Sequence, residues 1–536
     1  MRLFTTIAGL RCYLNLLQNE SQKSAYTIGL VPTMGALHEG HLSLIKRAKE
    51  ENKITVVSIF VNPLQFAPTE DFQQYPRQLE ADKKLCEKEG VDVIFAPTPE
   101  TMGMENELST NAQNNTTTIV PPAQMTSIMC GISRPNFFQG IATVVTKLLN
   151  LVQPNNAYFG QKDAQQLAII KQLVKDLSLP INIVSCPIIR EPSGLAISSR
   201  NQYLTAEQKQ QASILYNSLD YGRKIFLENR DTPNIVKKIK DAVTEKLALQ
   251  PTVKLEYLEI VHPETLQPLE NIQNIALLAI AAHLGACRLI DNILLRNRQP
   301  IIAIDGPAGA GKSTVTKLLG KNLGLLYLDT GAMYRAVTWM VLQTGISITD
   351  QAQVAELVSQ CQISFDGPEN NQVIINGHDV TEAIRGREVT NHVSTIAAQP
   401  TVRYFMVKQQ QLFGTKGGIV AEGRDIGTHV FPNAEVKIFL TASARERAQR
   451  RLLELQQKGQ TNITLEEIEK DIINRDQKDS NREVSPLRKA ADAIEINTDG
   501  LSITEVTEKI VDIYQKICSE KDFPDANPNQ GWRLEI

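Results

Sequence analysis

Along the first part of the chain, apolar residues gather into short unbroken runs, separated by stretches in which they recur at helical spacing. Residues 26–31 and 54–61 are apolar nearly throughout, as strands buried on both faces are, and 91–96 and 157–159 repeat that texture. Residues 42–51, 78–89 and 141–152 carry the helical period. Strand and helix alternate, which predicts a doubly wound parallel sheet whose ligands bind beyond the carboxyl ends of its strands. After Thr205 the texture shifts to two long amphipathic helices, 206–228 and 234–249, and three strands, 253–261, 276–281 and 286–293. These predict a smaller α+β lobe able to close over a site in the sheet domain.

A second alternation starts at Ile301. Residues 301–304 and 325–328 read as strands around a helix at 314–323, and 418–421 reads as another buried strand. Residues 363–365 and 373–376 form a small β insertion turning at Asn376 and Gly377. The chain is therefore expected to fold as an α/β sheet domain over 1–204, the small lobe over 205–293, a second α/β domain over 298–518 and a polar tail over 519–536. Residues 294–300 are too few for a flexible tether, and the polar 105–118 reads as a surface loop without chemistry.

Composition narrows the possibilities. A chain of 536 residues that is 42% hydrophobic can build several ordinary cores. A net charge of -3 excludes a chain-wide polyanion-binding surface, so nucleic acid is not expected as a partner and anion binding must be local. The seven cysteines are scattered without a Cys-x-x-Cys pair, which argues against a zinc site or disulfide framework and for a reducing compartment. No window approaches about eighteen uninterrupted apolar residues, so no membrane segment is expected and the reading is a cytoplasmic protein.

Two stretches supply local anion sites. Gly306-Pro307-Ala308-Gly309-Ala310-Gly311-Lys312-Ser313 follows a strand, precedes a helix and completes the pattern of a phosphate-binding loop. Its glycines let backbone N–H groups face phosphate oxygens, and the helix adds its positive end from Thr314 onward. Lys312 supplies a point charge and Ser313 a hydroxyl for Mg²⁺. In the first domain, His38 and His41 follow the first strand at a helix start. Three residues apart on one helix face, they can both meet one anionic group and stabilise charge on a triphosphate as it is cleaved.

The stretch from Pro32 through Met34, Gly35, His38 and Gly40 to His41 resembles the ATP-binding motif of pantothenate synthetases (pantoate-beta-alanine ligases), members of the nucleotidyltransferase superfamily with HIGH-type motifs. Segments at 60–66, 75–77, 160–166, 197–201 and 282–292 are similar to the same family in order, so the resemblance covers 1–293. It implies a Rossmann-like fold and a reaction in which pantoate attacks the α-phosphorus of ATP and beta-alanine then attacks the acyl adenylate. Carried over, Met34, Gly35, His38 and His41 would meet ATP, with His41 in an acid role. Lys162 would bind the phosphates, Gly160 and Asp163 the ribose side, and Ile197, Ser198, Ser199 and Arg200 the triphosphate. Gln65 and Gln166 would hold pantoate and beta-alanine, a task suited to amides because they donate and accept without adding charge. Asp82 stays open between a Mg²⁺ ligand and a solvated charge on a helix. A homodimer through this half is also implied. Where the family commonly reads Arg-Pro-Gly-His-Phe-Arg-Gly, this chain has Arg134-Pro135-Asn136-Phe137-Phe138-Gln139-Gly140, so the turn is expected to survive without the contacts of the missing His and Arg.

In the second half, Asp329, Thr330 and Arg335 open another helix, Glu422-Gly423-Arg424-Asp425 ends a strand, and Arg475, Asp479 and Arg482 fall at i, i+4 and i+7 of a helix. Alone, the last set reads as a solvated face. After a phosphate loop it reads as the arginine-bearing lid of a nucleoside monophosphate kinase. Together with the insertion around Asn376-Gly377-His378-Asp379, these stretches closely resemble bacterial-type cytidylate kinases over 301–499. The resemblance implies phosphoryl transfer from ATP to CMP or dCMP. Gly306, Gly309, Gly311, Lys312, Ser313 and Thr314 would hold ATP, and Thr330, Arg335, Ser394, Arg403, Asp425, Arg475, Asp479 and Arg482 would surround CMP. Lys312, Arg424 and Arg475 would act on the phosphoryl group in transfer. An Asn-Lys-x-Asp guanine motif is missing, which disfavours a GTPase. The two products are chemically unrelated, so channelling between the halves is not implied.

Overall fold

The computed structural model describes residues 1–20, 27–66, 72–73, 75–104, 117–230, 232–366, 372–457, 464–480, 486–490 and 492–518. The chain divides into two compact units, Met1–Arg296 and Asn297–Ile536. No helix among the described residues is long and apolar enough to cross a membrane.

The first unit is built on a wholly parallel sheet. Its strands are β1 (Arg2–Phe4), β2 (Ile28–Thr33), β3 (Ile54–Ile59), β4 (Val93–Phe95), β5 (Asn156–Gly160) and β6 (Asn182–Cys186), ordered β1-β4-β3-β2-β5-β6. This is the doubly wound α/β arrangement expected, with the order reversing beside β2, where such folds bind ligands. The central strands are buried on both faces, with Leu30, Val56, Val57 and Phe95 fully enclosed, which is why they read as apolar runs.

Two helix boundaries differ from the sequence reading for physical reasons. The helix after β2 spans Glu39–Glu51 and starts earlier than its apolar period because His38 caps it. The stretch expected as one helix over 206–228 is two, Ala206–Ala212 and Ile214–Glu228, and Thr205 opens the first through a reciprocal capping box with Gln208. Tyr26, the expected first residue of β2, lies outside the described residues, as do most of the 105–118 loop and the tail from 519. The helices Ile214–Glu228 and Ile235–Ala248 pack on an antiparallel sheet of β7 (Val253–Val261), β8 (Ile275–Leu284) and β9 (Cys287–Arg296) to form the small lobe.

The second unit has a parallel sheet of β10 (Ile301–Asp305), β11 (Leu326–Asp329), β15 (Ile419–Gly423), β16 (Val436–Thr441) and β17 (Ile494–Asn497), ordered β11-β15-β10-β16-β17. The insertion is an antiparallel sheet of β12 (Ile363–Asp366), β13 (Gln372–Ile375) and β14 (His378–Asp379). Helices Lys312–Leu323, Thr330–Thr344 and Leu465–Ser480 carry the residues that matter below.

Candidate active sites

In the first unit a cavity of about 790 Å³ opens beyond the carboxyl ends of β2, β3, β5 and β6. Met34, His38, His41, Gln65, Gly160, Lys162, Asp163, Gln166, Ile197, Ser198, Ser199 and Arg200 all line it. Gly35 and Asp82 lie behind it, packed against each other.

The two histidines meet by a route other than a shared helix face. His38 is the helix cap, with extended backbone (φ -141°, ψ 175°), and its Nδ1 accepts from the Gly40 N–H at 3.2 Å. His41 sits in the first turn, and the ring centroids are 4.0 Å apart. Burial lowers His41 to about 3, helped by His38 and Lys162, and lowers His38 to about 4, helped by Lys162. Both rings are therefore neutral near pH 7 in the free protein. His41 Nδ1 is buried without a hydrogen-bond partner.

Asp82, left open by its position between a metal ligand and a solvated charge, is not solvated. It is 2% exposed, its Oδ1 accepts from Leu37 N–H at 2.8 Å and its Oδ2 from Ala36 N–H at 3.0 Å. Both oxygens hold the loop just ahead of His38, while burial pushes the carboxyl above its usual range.

Gln65 sits on a short turn, Pro63–Gln65, capped by Asn62, whose Oδ1 accepts from Leu64 N–H at 3.0 Å and whose Nδ2 donates to the Gly140 carbonyl at 3.2 Å. The Gln65 amide contacts Met34 Sδ. The variant segment supports this turn. Arg134 donates to the Gln65 carbonyl at 3.1 Å while stacking 3.6 Å over Phe137. A Cβ at Gly140 would lie 2.3 Å from the Leu64 carbonyl oxygen, so only glycine allows the approach. Asn136, replacing the family's glycine, adopts φ 65°, a left-handed conformation that asparagine tolerates best among larger residues. The turn survives, and Phe137 turns the missing histidine's place into a platform for Arg134.

Gln165 spends its amide on Cys130, Met125 and Ile128 backbone groups. Its neighbour Gln166 lines the cavity. On the far side, Ser198 Oγ accepts from Arg200 N–H at 3.3 Å, and Asn201 ties the loop back to Ala196 at 3.0 Å.

In the second unit β10 delivers the phosphate loop. Gly306 has φ 151°, and a Cβ there would lie 2.2 Å from the Leu440 carbonyl oxygen. Lys312 Nζ donates to the Pro307 carbonyl at 2.8 Å, and burial together with the charge of Arg424 brings it down to about 8. Ser313 Oγ donates to Glu422 Oε2 at 2.8 Å, Tyr327 OH to Glu422 Oε1 at 2.6 Å, and Thr330 Oγ1 to the Glu422 carbonyl at 2.7 Å. Glu422, which the sequence reading passed over, thus joins the phosphate loop to two neighbouring segments. Burial and nearby Asp329 push it above its usual range.

Arg403 and Asp425 form a buried ion pair at 2.5 Å beneath Tyr334. Asp425 is thereby committed to an arginine rather than standing free at the strand end. Arg424 pairs with Asp479 at 2.5 Å, and Asp479 is 2% exposed, so the solvated-face reading of that helix does not hold there. Arg475 stands exposed one turn earlier, and Arg482 lies outside the described residues. Arg335, Ser394 and Thr314 are solvent-exposed on their helices. Two ties had no signal in local sequence. Asp305 accepts from the Ile426 and Gly427 amides at 2.8 and 2.7 Å. Arg447 donates to the Ala308 carbonyl of the phosphate loop and to Asp476 at 3.1 Å each.

Comparison with known proteins assigns a family to each half of the chain. Residues 2–294 match the family model for pantoate-beta-alanine ligase and residues 302–516 that for cytidylate kinase. A bifunctional pantoate ligase/cytidylate kinase of Trichodesmium erythraeum (strain IMS101) is 80% identical, covering 97% of this chain and 99% of its own. One of Nostoc sp. (strain PCC 7120 / SAG 25.82 / UTEX 2576) is 57% identical, covering 97% and 100%. The crystal structure of pantothenate synthetase from Thermus thermophilus is 42% identical with a TM-score of 0.49, covering 55% of this chain and 99% of its own. With both family matches in one order and relatives alike end to end, the chain belongs to the bifunctional pantoate ligase/cytidylate kinases.

Proposed function

We propose a division of labour among the side chains of this ligase and kinase. In the ligase half, the observation that carries the reading is a close histidine pair, with ring centroids 4.0 Å apart and planes tilted by 31°, sharing one cavity with Lys162, Gln65, Gln166 and the Ser198–Arg200 loop. Gln65 and Gln166 hold pantoate so that its carboxylate oxygen attacks the α-phosphorus of ATP and pyrophosphate departs. The amine of beta-alanine then attacks the acyl carbon and AMP departs. Lys162, Ser198, Ser199 and Arg200 neutralise the triphosphate, with Met34, Gly35, Gly160, Asp163 and Ile197 around the rest of the nucleotide. His38 and His41 enter as neutral N–H donors, because their burial leaves no imidazolium to serve as an acid in the free protein. Pyrophosphate release that requires both pantoate and ATP tests this, and release without pantoate would defeat it.

In the kinase half, Lys312, Arg424 and Arg475 stabilise the phosphoryl group as it moves from ATP to CMP or dCMP. The loop from Gly306 to Thr314 holds the donor. Thr330, Arg335, Ser394, Arg403, Asp425, Asp479 and Arg482 receive the acceptor. Mg²⁺ fits here, since the Ser313 hydroxyl and the Glu422 carboxylate form an adjacent pair of oxygen donors of the kind a hard cation takes. When bound it neutralises phosphate charge. In the ligase half Asp82 does not fit the ion, its oxygens being taken by backbone amides. Pairing of two copies through the ligase half completes the reading, and sedimentation of the full chain measures it.

A further inference from the structure

The small lobe reaches back into the ligase cavity through one amide. Asn292, on β9 and 6% exposed, uses Nδ2 to donate to the carbonyls of Gln161 and Lys162, both at 3.0 Å. These carbonyls belong to the two peptide planes that flank the Lys162 Cα. Fixing both planes fixes the φ and ψ of Lys162, and with them the direction in which its side chain leaves the backbone.

The backbone of Asn292 is itself anchored. Its main-chain N–H donates to Asp291 Oδ1 at 2.7 Å, and its main-chain carbonyl accepts from Arg190 Nη2 at 3.3 Å. Arg190 in turn grips Asp291 with both terminal nitrogens, at 2.6 and 2.9 Å, and lies 4.0 Å over Tyr216. Asp291 is 3% exposed. A buried ion pair of this kind holds geometry more than it stabilises the fold, because desolvation offsets most of its attraction. Chain position separates the parts: Lys162 leaves β5 of the sheet domain, whereas Asn292 and Asp291 belong to the lobe.

We propose that Asn292 is a positioning residue for the ligase reaction, aiming Lys162 at the polyphosphate of ATP and tying that aim to the seating of the small lobe. It follows that Lys162 points correctly only while β9 is docked. Asn292 touches no reacting atom; its effect passes through Lys162. The inference rests on the role given to Lys162 above.

The test uses the full chain, with pantoate-dependent pyrophosphate release as readout and thermal melting alongside. Asn292→Ala removes both bonds and is expected to lower kcat by about 30- to 100-fold, the cost of misplacing a catalytic group by about 1 Å. Asn292→Ser, which keeps one donor, is expected to fall between that and the unaltered chain. In a Lys162→Ala background the same Asn292→Ala change is expected to cost less than about threefold, because nothing is left to aim. A full additional loss on that background would show a merely structural role and overturn the inference. So would an Asn292→Ala chain that keeps its rate. If Lys162→Ala itself releases pyrophosphate at the unaltered rate, the reading of Lys162 falls and this inference with it, while unchanged release by the parent chain keeps the ligase assignment intact.

Discussion

Replacing Asp82 with alanine separates the loop-holding role seen in the structure from the Mg²⁺ ligation that the sequence left open. In the structure the carboxylate accepts from two consecutive amides, Ala36 and Leu37, immediately before His38. A hydrogen bond to a charged group contributes about 1.5–3 kcal/mol. Part of that is returned, because burial acts against the charged form strongly enough to raise this carboxyl despite both amides. We therefore expect Asp82→Ala to destabilise the ligase unit by about 2 kcal/mol. At roughly 2.1 cal/mol/K of unfolding entropy per residue, a unit of this size then melts about 3 °C lower. The rate should suffer more than the stability. Two amides left without acceptors move the loop that carries the histidine pair, and a shift of about 1 Å costs about a hundredfold in turnover.

The assay is calorimetry of the full chain in the presence of a chelator, followed by pyrophosphate release across a Mg²⁺ titration. The expected result is a lower ligase transition without any metal present, a rate loss that added Mg²⁺ does not restore, and unchanged CMP phosphorylation. An unaltered melting curve in chelator, with activity restored at high Mg²⁺, would show that Asp82 serves a metal and that its bonds to the loop are incidental.

Four further outcomes follow from the geometry. His38 and His41 are held at about 4 and 3, below the usual 6.5, so their contribution to stability is complete above pH 6.5 and is lost as pH falls toward those values. His41→Asn should flatten the acid side of the ligase melting profile, and kcat/KM for ATP should show no limb near 6.5, where a limb would refute the neutral pair. Gly140→Ala drives a methyl to 2.3 Å from the Leu64 carbonyl oxygen and should raise KM for pantoate at least about tenfold through Gln65; an unchanged KM would show that the turn yields without moving Gln65. Burial raises Asp305 to about 7, so its stabilising neutral form is complete below about pH 4 and lost as pH rises through 7. Asp305→Asn should therefore gain on the parent chain in kinase-unit melting between pH 5 and pH 8, and a constant difference would contradict this. Lys312→Ala should abolish CMP phosphorylation while pantothenate formation continues, and loss of both would argue against independent sites.

The residues proposed to carry the chemistry stand out in the sequence because they cluster in short stretches with their own backbone logic. The glycine loop before Lys312 and the histidines after β2 each announce a strand end and a helix start within a dozen residues. What holds them in place was not legible. Asp82 acts on Ala36 and Leu37, Arg447 on Ala308 and Asn292 on Lys162, each across a separation that no local period or motif records. One helix start was misjudged for a related reason: the apolar period after β2 begins at Leu42, but the helix starts three residues earlier, at Glu39, because His38 caps it with a side-chain acceptor. The strand Arg2–Phe4 is too short to carry a period, and the helix Ile7–Glu20 was passed over although its buried Leu10 and Leu14 stand four residues apart.

The two sites prepare for ATP in opposite ways. In the kinase half, four groups proposed above to meet substrate already have protein partners: Lys312 is on the Pro307 carbonyl, Ser313 on Glu422, Arg424 on Asp479 and Arg403 on Asp425. Binding there is an exchange, in which a ligand must offer phosphate oxygens good enough to displace carboxylates and a carbonyl. An analogue lacking the phosphate cannot repay the broken contacts, so the resting pairs sharpen selection against nucleosides. In the ligase half the buried His41 Nδ1 has no partner, a state that costs about 1–3 kcal/mol. That cost is borne by the fold before any substrate arrives, and the ring needs no reorientation or release when the triphosphate enters. In the ligase site the histidine pair is accordingly neutral at rest, on a loop held from behind by Asp82. The kinase site is charged and self-satisfied, and it opens its pairs only for a ligand that replaces them.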